Sequence, residues 1–449
     1  METLTVQVHY DGSWHDAAEV QFSNPDAGVN GPTKVDYIDS YFFEIGNPLE
    51  PEVGVTDARA LSVSCPVTLD TKRYKGWPPF LVDLLPQGPI RRRISREKGL
   101  SEFGDDPRIE YPLLLETSSS PIGNLRIKEA WLAEWQRLQK ETIVGVTLDE
   151  ILERSDRFRE QADRFTGLAS GSGGVQGEWP KVLMTLADDG LWYPTPVVSD
   201  EAAQDHVIVK LRKTSERSDR LILQAEPSYL ELARQLGLKV SRSLTGNDTA
   251  VMIPRFDREV VHGHGVIRHG QESLYAALNV GGFSSHLRHE TCIALLAEVC
   301  HDPETDVAEY VVRDVVNRVV GNVDNHGRNT AIQRKADGTI TLAPIFDFAP
   351  MRLDPRAIPQ GITWTCLKGS GESMNVSKII EAAATASGIS TSTLRPRIAS
   401  KLAGLQDIHA LARTVSVPTE IANDVIKVDK EIMEQMEALG AFDYDTPKP

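Results

Sequence analysis

The sequence predicts an α+β fold in which β-rich segments come first and a larger helical lobe follows. Short strand-like stretches, broken by Gly, Pro, Asn and Asp, prevail up to Arg255. Beyond Arg255, apolar residues recur at helical spacing. With 449 residues, 41% of them hydrophobic, the chain is long enough for two or three structural units around a large core. We therefore divide it into a β-rich N-terminal subdomain at 1–140, a β-rich lobe at 141–255 and a helical C-terminal lobe at 256–449.

In the N-terminal subdomain, two stretches have the composition of strands. Thr3–Tyr10 and Leu61–Val67 are short strand-like stretches in a region broken by Gly, Pro, Asn and Asp. The apolar block Phe80–Leu85 is helix-like, and the polar stretch Thr117–Gly123, with three consecutive serines, is a candidate boundary loop.

The β-rich lobe begins with a polar helical stretch, Leu148–Arg164. Lys181–Leu186 and Leu191–Tyr193 flank the turn Ala187–Gly190 and predict a hairpin. His206–Leu211 is a further short strand, rich in β-branched residues.

The end of this lobe is predicted to contain one helix and two strands. Pro227–Leu236 has helical spacing, and Gly237 is placed as its C-terminal cap. The strands would be Leu238–Leu244 and Ala250–Ile253, on either side of a Gly-Asn-Asp turn.

Beyond Arg255 the pattern is helical. Valines from Val307 to Val319 form one apolar stripe, with Asp306 as a plausible N-cap and Gly321 as the stop. Because valine is a weak helix former, we expect burial to stabilise this helix. Ser377–Leu439 reads as several amphipathic helices.

Charge and composition limit the possible partners. The formal net charge of −16, with no long basic run, argues against nucleic acid or an anionic membrane as a direct partner of the whole surface. The first residues lack a basic segment followed by an apolar one, and no apolar run reaches the ~18 residues that span a bilayer. The four cysteines form no CxxC pair. We expect a reduced, cytoplasmic protein with no membrane partner.

A polar segment, Gly321–Asn329, follows the valine helix directly. Within it, Asp324 and Asn329 have the D-x-x-x-x-N spacing of a kinase catalytic loop. Asp347 follows a hairpin with the turn Ala336–Gly338, where a metal-binding Asp-Phe-Gly stands in protein kinases, here with Ala in place of Gly. Phosphoryl transfer needs a carboxylate that orients the attacking hydroxyl and oxygen ligands for Mg²⁺. We predict Asp324 as the catalytic residue and Asn329 and Asp347 as Mg²⁺ ligands.

The β-rich lobe carries features typical of a nucleotide site. Ser170–Gly177 is the most glycine-dense segment of the chain, and glycines let backbone N–H groups approach phosphates. Lys210 follows on a strand and Glu226 at a helix start, the order of the lysine–glutamate pair that positions ATP phosphates in kinases. Simpler interpretations stay open, because a strand lysine can lie along the surface and a carboxylate favours any helix start.

Three histidines, His262, His264 and His269, cluster in a glycine-rich stretch and invite a zinc interpretation. Their spacing is irregular and the sequence offers no evident fourth ligand. We interpret the stretch as a polar loop.

Together these motifs resemble the HipA family of serine/threonine-protein kinase toxins of bacterial type II toxin–antitoxin systems. The resemblance covers most of the chain and rests on the segments Leu61–Pro66, Phe80–Pro89, Gly174–Gln176, Val207–Leu211, Arg255–Arg258, Arg268–Glu272, Asp324–Asn329 and Phe346–Asp347. It implies a protein-kinase-like two-lobe fold with ATP and Mg²⁺ as cofactors.

The resemblance also implies roles for individual residues. Asp324 would be catalytic, and Asn329 and Asp347 would hold Mg²⁺. The residues that would border ATP are Gly173, Gly174, Val175, Gln176, Lys181, Lys210, Pro254, Arg255, Phe256, His326, Asn329 and Asp347. Members of the family autophosphorylate a serine of the glycine-rich loop as an off-switch, for which Ser172 is the first candidate and Ser170 the second. Two departures are visible: a longer glycine-rich loop before Lys181, and Pro254, which lacks a backbone N–H.

The predicted function is transfer of the ATP γ-phosphate to a serine of a target protein. By resemblance, the target would be an aminoacyl-tRNA synthetase, and its modification would arrest translation and growth. The partner would be a HipB-like helix-turn-helix antitoxin, through which alone the complex would contact DNA. Two alternatives stay open: a kinase of the same architecture that acts on a small molecule, and a catalytically vestigial corepressor that binds the antitoxin.

Overall fold

The computed structural model describes residues 1–46, 54–86, 88–165, 179–261, 263, 265–281, 286–355, 361–369, 374–428 and 430–440. The chain forms two compact units. Unit 1 consists of Met1–Lys213, Thr245–Ser285 and Ala331–Ile340, and unit 2 of Thr214–Leu244, His286–Thr330 and Thr341–Pro449. Unit 1 carries most of the strands, whereas unit 2 is mainly helical. The division into three parts at 1–140, 141–255 and 256–449 stays a prediction.

The first sheet of unit 1 has five strands in the order β4-β3-β2-β1-β5, all antiparallel. Its strands are β1 (Glu2–Tyr10), β2 (Ser13–Phe22), β3 (Thr33–Tyr37), β4 (Lys72–Tyr74) and β5 (Leu125–Ile127). The helices in this part are α1 (Asp39–Tyr41), α2 (Pro79–Val82), α3 (Pro89–Glu97), α4 (Glu110–Thr117) and α5 (Lys128–Leu138). Leu4, Val6 and Val8 of β1 are buried in a core that helix residues of α2 to α5 complete.

The predicted strand at the N-terminus is confirmed, but the one at Leu61–Val67 is wrong. That segment makes only isolated bridges, such as the one between Ser62 and Cys65. Its backbone is paired locally and with a side chain: the Tyr37 hydroxyl accepts from the Leu61 N–H (2.8 Å) and donates to the Cys65 carbonyl (2.7 Å). A buried side chain therefore satisfies groups that a strand ladder would otherwise use.

The second sheet of unit 1 also has five antiparallel strands, in the order β7-β6-β8-β10-β9. The elements of this part are α6 (Leu148–Leu152), α7 (Asp156–Phe165), β6 (Lys181–Ala187), β7 (Trp192–Pro194), β8 (Ala203–Leu211), β9 (Thr245–Gly246) and β10 (Ala250–Pro254). The predicted hairpin is confirmed, since the Gly190 N–H donates to the Ala187 carbonyl at 3.0 Å. The predicted helical stretch is divided in two by Arg154, whose φ is +54°.

Unit 1 is completed by short elements from the middle of the chain. They are β11 (Arg258–Val261), β12 (Gly265–Arg268), β13 (Gly270–Ser273), α9 (Leu274–Ala277) and β15 (Ala331–Arg334), with β16 (Ile340–Leu342) at the boundary to unit 2. The predicted hairpin between β15 and β16 is confirmed, because the Lys335 N–H donates to the Thr339 carbonyl at 2.8 Å and Gly338 has the expected positive φ of +87°.

Unit 2 is built mainly from helices. Its elements are α8 (Arg217–Gln235), β14 (Leu287–Arg288), α10 (His289–Val299), α11 (Pro303–Val320), β17 (Ile362–Thr363), α12 (Val376–Ser387), α13 (Thr391–Leu402), α14 (Ile408–Thr414), α15 (Thr419–Asp424) and α16 (Lys430–Ala438). The predicted series of C-terminal helices is confirmed. In the described part of the chain, no helix combines the length and apolar character needed to cross a bilayer.

Helix α11 contains the valine stripe, and its valines are buried as expected. Its N-cap is Asp302, which accepts a hydrogen bond from the Thr305 N–H at 3.1 Å. The prediction of Asp306 as the cap is wrong, because Pro303 fits the first helical position and the helix begins there. The helix ends at Gly321, which adopts a left-handed conformation (φ +75°).

Helix α8 begins ten residues before the predicted start and runs through Pro227. Proline removes one helical hydrogen bond, so a pattern-based prediction stops there. Burial of Ile222 and Leu223 before the proline and of Tyr229 after it outweighs this cost.

The strand predicted at Leu238–Leu244 is wrong. The segment makes a single parallel bridge, between Val240 and Ile345. The N–H of the neighbouring Lys239 donates instead to a carboxylate oxygen of Glu309 at 2.8 Å. This side-chain acceptor replaces a ladder hydrogen bond.

Candidate active site

The loop that carries the predicted catalytic residue follows α11 without a spacer. The Gly321 carbonyl accepts from the Arg352 N–H at 2.9 Å. Asn322 donates twice to Asn317, from its backbone N–H to the carbonyl (2.9 Å) and from Nδ2 to Oδ1 (3.0 Å). The end of the buried helix therefore fixes where the loop begins.

Within the loop, the structure brings Asp324, His326 and Asn329 together. His326 Nε2 lies 3.3 Å from Asp324 Oδ1, and Asn329 Nδ2 donates to the Asp324 carbonyl at 2.7 Å. His326 Nδ1 accepts from the Arg328 N–H at 3.2 Å, which places the ring proton on Nε2, facing Asp324. The loop thus holds the Asp324 carboxylate through a histidine and its backbone through an amide.

His326 is held in place from the other side by Gly361. A Cβ atom at position 361 would lie 2.6 Å from the His326 Cβ, so only glycine fits without a shift. Burial lowers the pKa of His326 although the negative charges of Asp324 and Asp347 oppose that shift. The ring is therefore neutral at pH 7 and acts as a hydrogen-bond donor to Asp324.

Asp347 lies in a strained backbone conformation. Its φ is +51°, in the left-handed region that residues other than glycine rarely adopt. Neighbours on both sides hold it there: the Ile345 N–H donates to the Lys239 carbonyl at 2.8 Å, and buried Phe348 contacts the Tyr229 ring at a centroid distance of 5.7 Å. Such strain is common where a side chain must be aimed at a ligand.

Asn329 and Asp347 carry oxygen atoms of the kind that Mg²⁺ prefers. Asn329 Oδ1 is buried and accepts no hydrogen bond from the described residues. A buried acceptor without a donor is costly unless a ligand or ion completes it, and Mg²⁺ prefers carboxylate and amide oxygens. No cluster of three or more His, Cys, Asp or Glu side chains suited to a metal occurs in the described parts of the chain. An Asn–Asp pair is compatible with that finding, since Mg²⁺ usually keeps several water ligands.

Asp314 of α11 supports the loop that contains Asp324, and the sequence interpretation missed it. Its Oδ1 accepts from Asn325 Nδ2 at 3.2 Å, and its Oδ2 accepts from Trp364 Nε1 at 2.8 Å. Although burial alone would raise it, the pKa of Asp314 is lowered, because His289, Arg318 and the Trp364 N–H stabilise the carboxylate. The available signal was an aspartate within the buried valine stripe.

A small cavity lies behind the loop, within unit 2. Its volume is about 20 Å³, which is enough for one water molecule. Its lining includes Asp314, Asn317, Asp324, Asn329 and Phe346. The orphan oxygen of Asn329 and the supporting carboxylate of Asp314 thus belong to residues that line one polar cavity.

Unit 1 contributes the two predicted lysines. Lys181 and Lys210 stand directly opposite each other on β6 and β8, and each is at most 4% exposed. The Lys210 ammonium lies 5.5 Å from the centroid of the Trp179 ring. The two predicted lysines therefore stand side by side in the second sheet.

The segment predicted to border the adenine is anchored within unit 1. Arg255 is buried, and its guanidinium donates to both carboxylate oxygens of Asp257 (3.0 and 2.6 Å) and to the Pro121 carbonyl (3.1 Å). The Phe256 carbonyl accepts from Gln333 Nε2 at 2.9 Å. The nucleotide contacts predicted for Pro254, Arg255 and Phe256 stay predictions.

Several predicted residues lie outside the described residues: Ser170, Ser172, Gly173, Gly174, Val175, Gln176, His262 and His264. Of the three clustered histidines only His269 is described, and its Nδ1 accepts from the Ala336 N–H at 3.2 Å. Glu226 is buried in α8 of unit 2, and its predicted pairing with Lys210 stays a prediction.

Comparison with known proteins identifies the family. Residues 172–416 match the HipA-like C-terminal domain, and residues 50–128 match the HipA N-terminal domain. A curated relative, Y4mE of Sinorhizobium fredii, whose name proposes that it is a kinase, is 29% identical over 182 residues. That alignment covers 38% of this chain and 41% of Y4mE, so the chain spans less than half the length of the relative it matches.

Solved structures support the fold. The toxin–antitoxin system complex of HipA, HipB and operator DNA from Shewanella oneidensis MR-1 contains a chain with a TM-score of 0.55 at 16% identity, with 97% of this chain and 94% of that chain covered. The proinflammatory kinase CtkA of Helicobacter pylori has a TM-score of 0.33 at 14% identity, with 53% of this chain and 89% of that chain covered. This likeness is too low to support a conclusion about the fold.

The predicted α+β class, with a β-rich N-terminal part and a helical C-terminal part as in HipA, is confirmed. The match to the HipA-like C-terminal domain alone spans more than half of the sequence. This chain therefore belongs to the HipA family.

Proposed function

We propose that this chain is an ATP-dependent protein kinase that phosphorylates a serine or threonine of another protein. The observation that carries the proposal is the loop in which His326 and Asn329 hold Asp324, while Asn329 keeps a buried acceptor oxygen open. A bound ion would satisfy that oxygen.

Each residue of the loop has a distinct role in the proposed reaction. Asp324 orients the attacking hydroxyl and accepts its proton. His326 donates from Nε2 to the carboxylate and keeps it in one orientation. Asn329 and Asp347 would hold Mg²⁺, which, when bound, offsets negative charge on the phosphates. Lys181 and Lys210, which stand opposite each other on β6 and β8, would contact the phosphates of ATP.

The finer assignments rest on family membership. We propose a growth-arresting toxin that acts in the cytoplasm on an aminoacyl-tRNA synthetase. A HipB-like helix-turn-helix antitoxin would neutralise it and connect it to DNA. Support for this partner comes from the Shewanella complex, in which HipA is found with HipB and operator DNA. The net charge of −16 suits a basic DNA-binding partner.

Phosphate transfer to proteins tests the proposal directly. Purified wild-type protein and Asp324→Asn are incubated with [γ-³²P]ATP, Mg²⁺ and a cell lysate. We expect labelled protein bands with the wild type and a loss of about 10³-fold or more with the variant, because the base and its charge are removed. Asp156→Asn serves as the matched control, since the Asp156 carboxylate is fully exposed.

The outcome also separates the alternatives. Label that appears only in small molecules would indicate a small-molecule kinase instead. Growth arrest by Asp324→Asn at equal expression would mean that arrest does not depend on catalysis, as expected of a corepressor with a vestigial site. Equal protein labelling by wild type and Asp324→Asn would refute the proposed role of Asp324.

The loop serines are tested by mass spectrometry. We propose that Ser172, or Ser170 in its place, is phosphorylated by the enzyme itself and that this switches it off. Incubation with ATP should produce a phosphopeptide that contains this segment, and Ser172→Ala should remain active for longer. A phosphopeptide that is equally abundant in Asp324→Asn would show that another kinase made it.

A further inference from the structure

Unit 1 contains a cavity of about 490 Å³ that the proposed kinase site does not use. This volume lies within the range of pockets that bind small molecules. Part of its wall comes from α5, with Trp131, Trp135 and Leu138, and part from the segment 195–200. The lining mixes aromatic and aliphatic side chains with a few polar ones, as is usual in ligand pockets.

One of the two arginines that line this cavity is Arg126 of β5. Its guanidinium lies between two indole rings, with Cζ 4.0 Å from the Trp14 centroid and 4.3 Å from the Trp131 centroid. The side chain is nearly buried, since the residue is 8% exposed. Its Nε donates to Gln7 Oε1 at 2.7 Å. Two stacked rings and one hydrogen bond therefore hold the guanidinium in a single orientation.

Arg126 forms no ion pair with any carboxylate in the described parts of the chain, although several lie nearby. Asp200 is taken by Arg268, which binds both of its oxygens at 2.6 Å. Glu134 and Glu141, which also line the cavity, are paired with other arginines, Arg137 and Arg164. Buried charges in proteins are nearly always paired, so an unpaired one that faces a cavity indicates a missing partner.

Other buried polar atoms belong to residues of the same wall. His206 and Ser119 line the cavity, and both His206 Nε2 and Ser119 Oγ are buried without a hydrogen-bond partner among the described residues. Burial, followed by the charges of Arg255 and Arg258, lowers the pKa of His206 to about 3, so its ring is neutral. These atoms can bind a ligand by hydrogen bonds but add no charge of their own.

We infer that this cavity is a binding site for a small molecule that combines a planar apolar body with one oxyanion, a carboxylate or a phosphate. The oxyanion would accept hydrogen bonds from the terminal nitrogens of Arg126. The planar body would lie among the tryptophans and aliphatic side chains of α5 and segment 195–200. The inference is independent of the proposed kinase activity, because neither Asp324 nor the lysines of the ATP site take part.

The test measures binding of matched probes by isothermal titration calorimetry. The probes are 1-naphthoate, 1-naphthyl phosphate and the neutral 1-naphthamide, titrated into the full chain without ATP. We expect at least one oxyanion probe to bind, with naphthamide at least about tenfold weaker. A preference between the carboxylate and the phosphate identifies which oxyanion the site takes. If neither oxyanion binds, or if the amide binds equally well, the inference is wrong.

Variants locate the bound probe. Arg126→Gln should weaken the better oxyanion at least about tenfold, whereas Arg108→Gln, an exposed arginine outside the cavity, should leave the affinity unchanged. Since Arg126→Gln could disturb packing, Trp135→Ala is a second variant: Trp135 is 50% exposed, so its loss should weaken binding without lowering the melting temperature. Unchanged affinity in both Arg126→Gln and Trp135→Ala would place the probe elsewhere and overturn the inference.

Discussion

Two buried polar centres of this chain, Asp257 in unit 1 and Asn329 in unit 2, are satisfied to very different degrees. The Asp257 carboxylate accepts four hydrogen bonds: two from Arg255, one from Arg258 and one from the Gly123 N–H, at 2.6 to 3.0 Å. Asn329 Oδ1 is also buried, yet it accepts none from the described residues. Both sit in motifs that point to a nucleotide site from sequence alone.

The difference separates residues that hold the fold from residues that await a ligand. A carboxylate whose acceptors are all filled has no capacity left for another partner, so Asp257 and its arginines anchor the segment after β10. We propose that the open acceptor of Asn329 takes an ion. The two residues therefore differ in how many of their acceptors are filled, and we propose that this difference reflects two different roles. Four predictions test or sharpen this comparison.

The largest effect is expected for Asp257→Ala. It leaves Arg255 and Arg258 without their shared carboxylate in a buried site, which should reduce the free energy of unfolding by roughly 3–5 kcal/mol. Urea denaturation measures this loss, with Asp156→Ala as an exposed control. A loss below about 1 kcal/mol would mean that Asp257 is not the structural anchor described here.

Asn329→Ala should show the opposite pattern. We expect the rate of phosphate transfer to fall about 10²- to 10³-fold and the Mg²⁺ concentration for half-maximal rate to rise, because one proposed metal ligand is gone. The free energy of unfolding should change by only about 1 kcal/mol, since one hydrogen bond to Asp324 is lost. A large loss of stability with an unchanged magnesium requirement would assign Asn329 a structural role.

Acid titration sharpens the description of unit 1. Burial lowers the pKa of His206 from 6.5 to about 3, so the folded protein favours the neutral ring. Its contribution to stability is therefore full above pH 6.5 and is lost as the pH falls from 6.5 towards 3. As the pH falls from about 7.5 to about 5, the free energy of unfolding should decrease by about 2 kcal/mol because of His206. Urea denaturation of His206→Asn should give a flatter pH dependence than the wild type, and His409→Asn, an exposed control, should not.

The smallest effect is expected for Gly361→Ala. The added Cβ would push against His326, which holds the Asp324 carboxylate. A displaced His326 should reduce kcat about tenfold while KM for ATP changes little, because the catalytic group rather than the nucleotide is misplaced. Steady-state kinetics measures kcat and KM for ATP separately. The control is Gly281→Ala, where a Cβ meets no heavy atom of the described residues within 4 Å. Equal kcat in both variants would contradict the role given to Gly361.

Features set by near neighbours along the chain could be predicted from the sequence. The hairpins at Ala187–Gly190 and Ala336–Gly338 and the helix stop at Gly321 depend on turn residues and local backbone conformation. The five-residue separation of Asp324 and Asn329 places both in one loop, so their contact follows from local geometry. One prediction from local sequence was wrong: Asp302, and not Asp306, caps α11.

The remaining features depend on contacts between residues far apart in the chain. Core packing extends α8 through Pro227, and the hydroxyl of Tyr37 replaces the strand predicted at Leu61–Val67. No sequence motif marks Asp314 or Gly361, the two residues that contact the loop proposed to be catalytic.

What the sequence determined by itself was the family and the loop that we propose to be catalytic, because both depend on short-range spacing. Only the tertiary structure decided which of the buried polar groups are satisfied. Arg126 and Gln7 are 119 positions apart, and their pairing follows from the register of β1 and β5. Satisfaction of a donor or acceptor depends on every neighbour in space, and spacing along the chain does not contain that information.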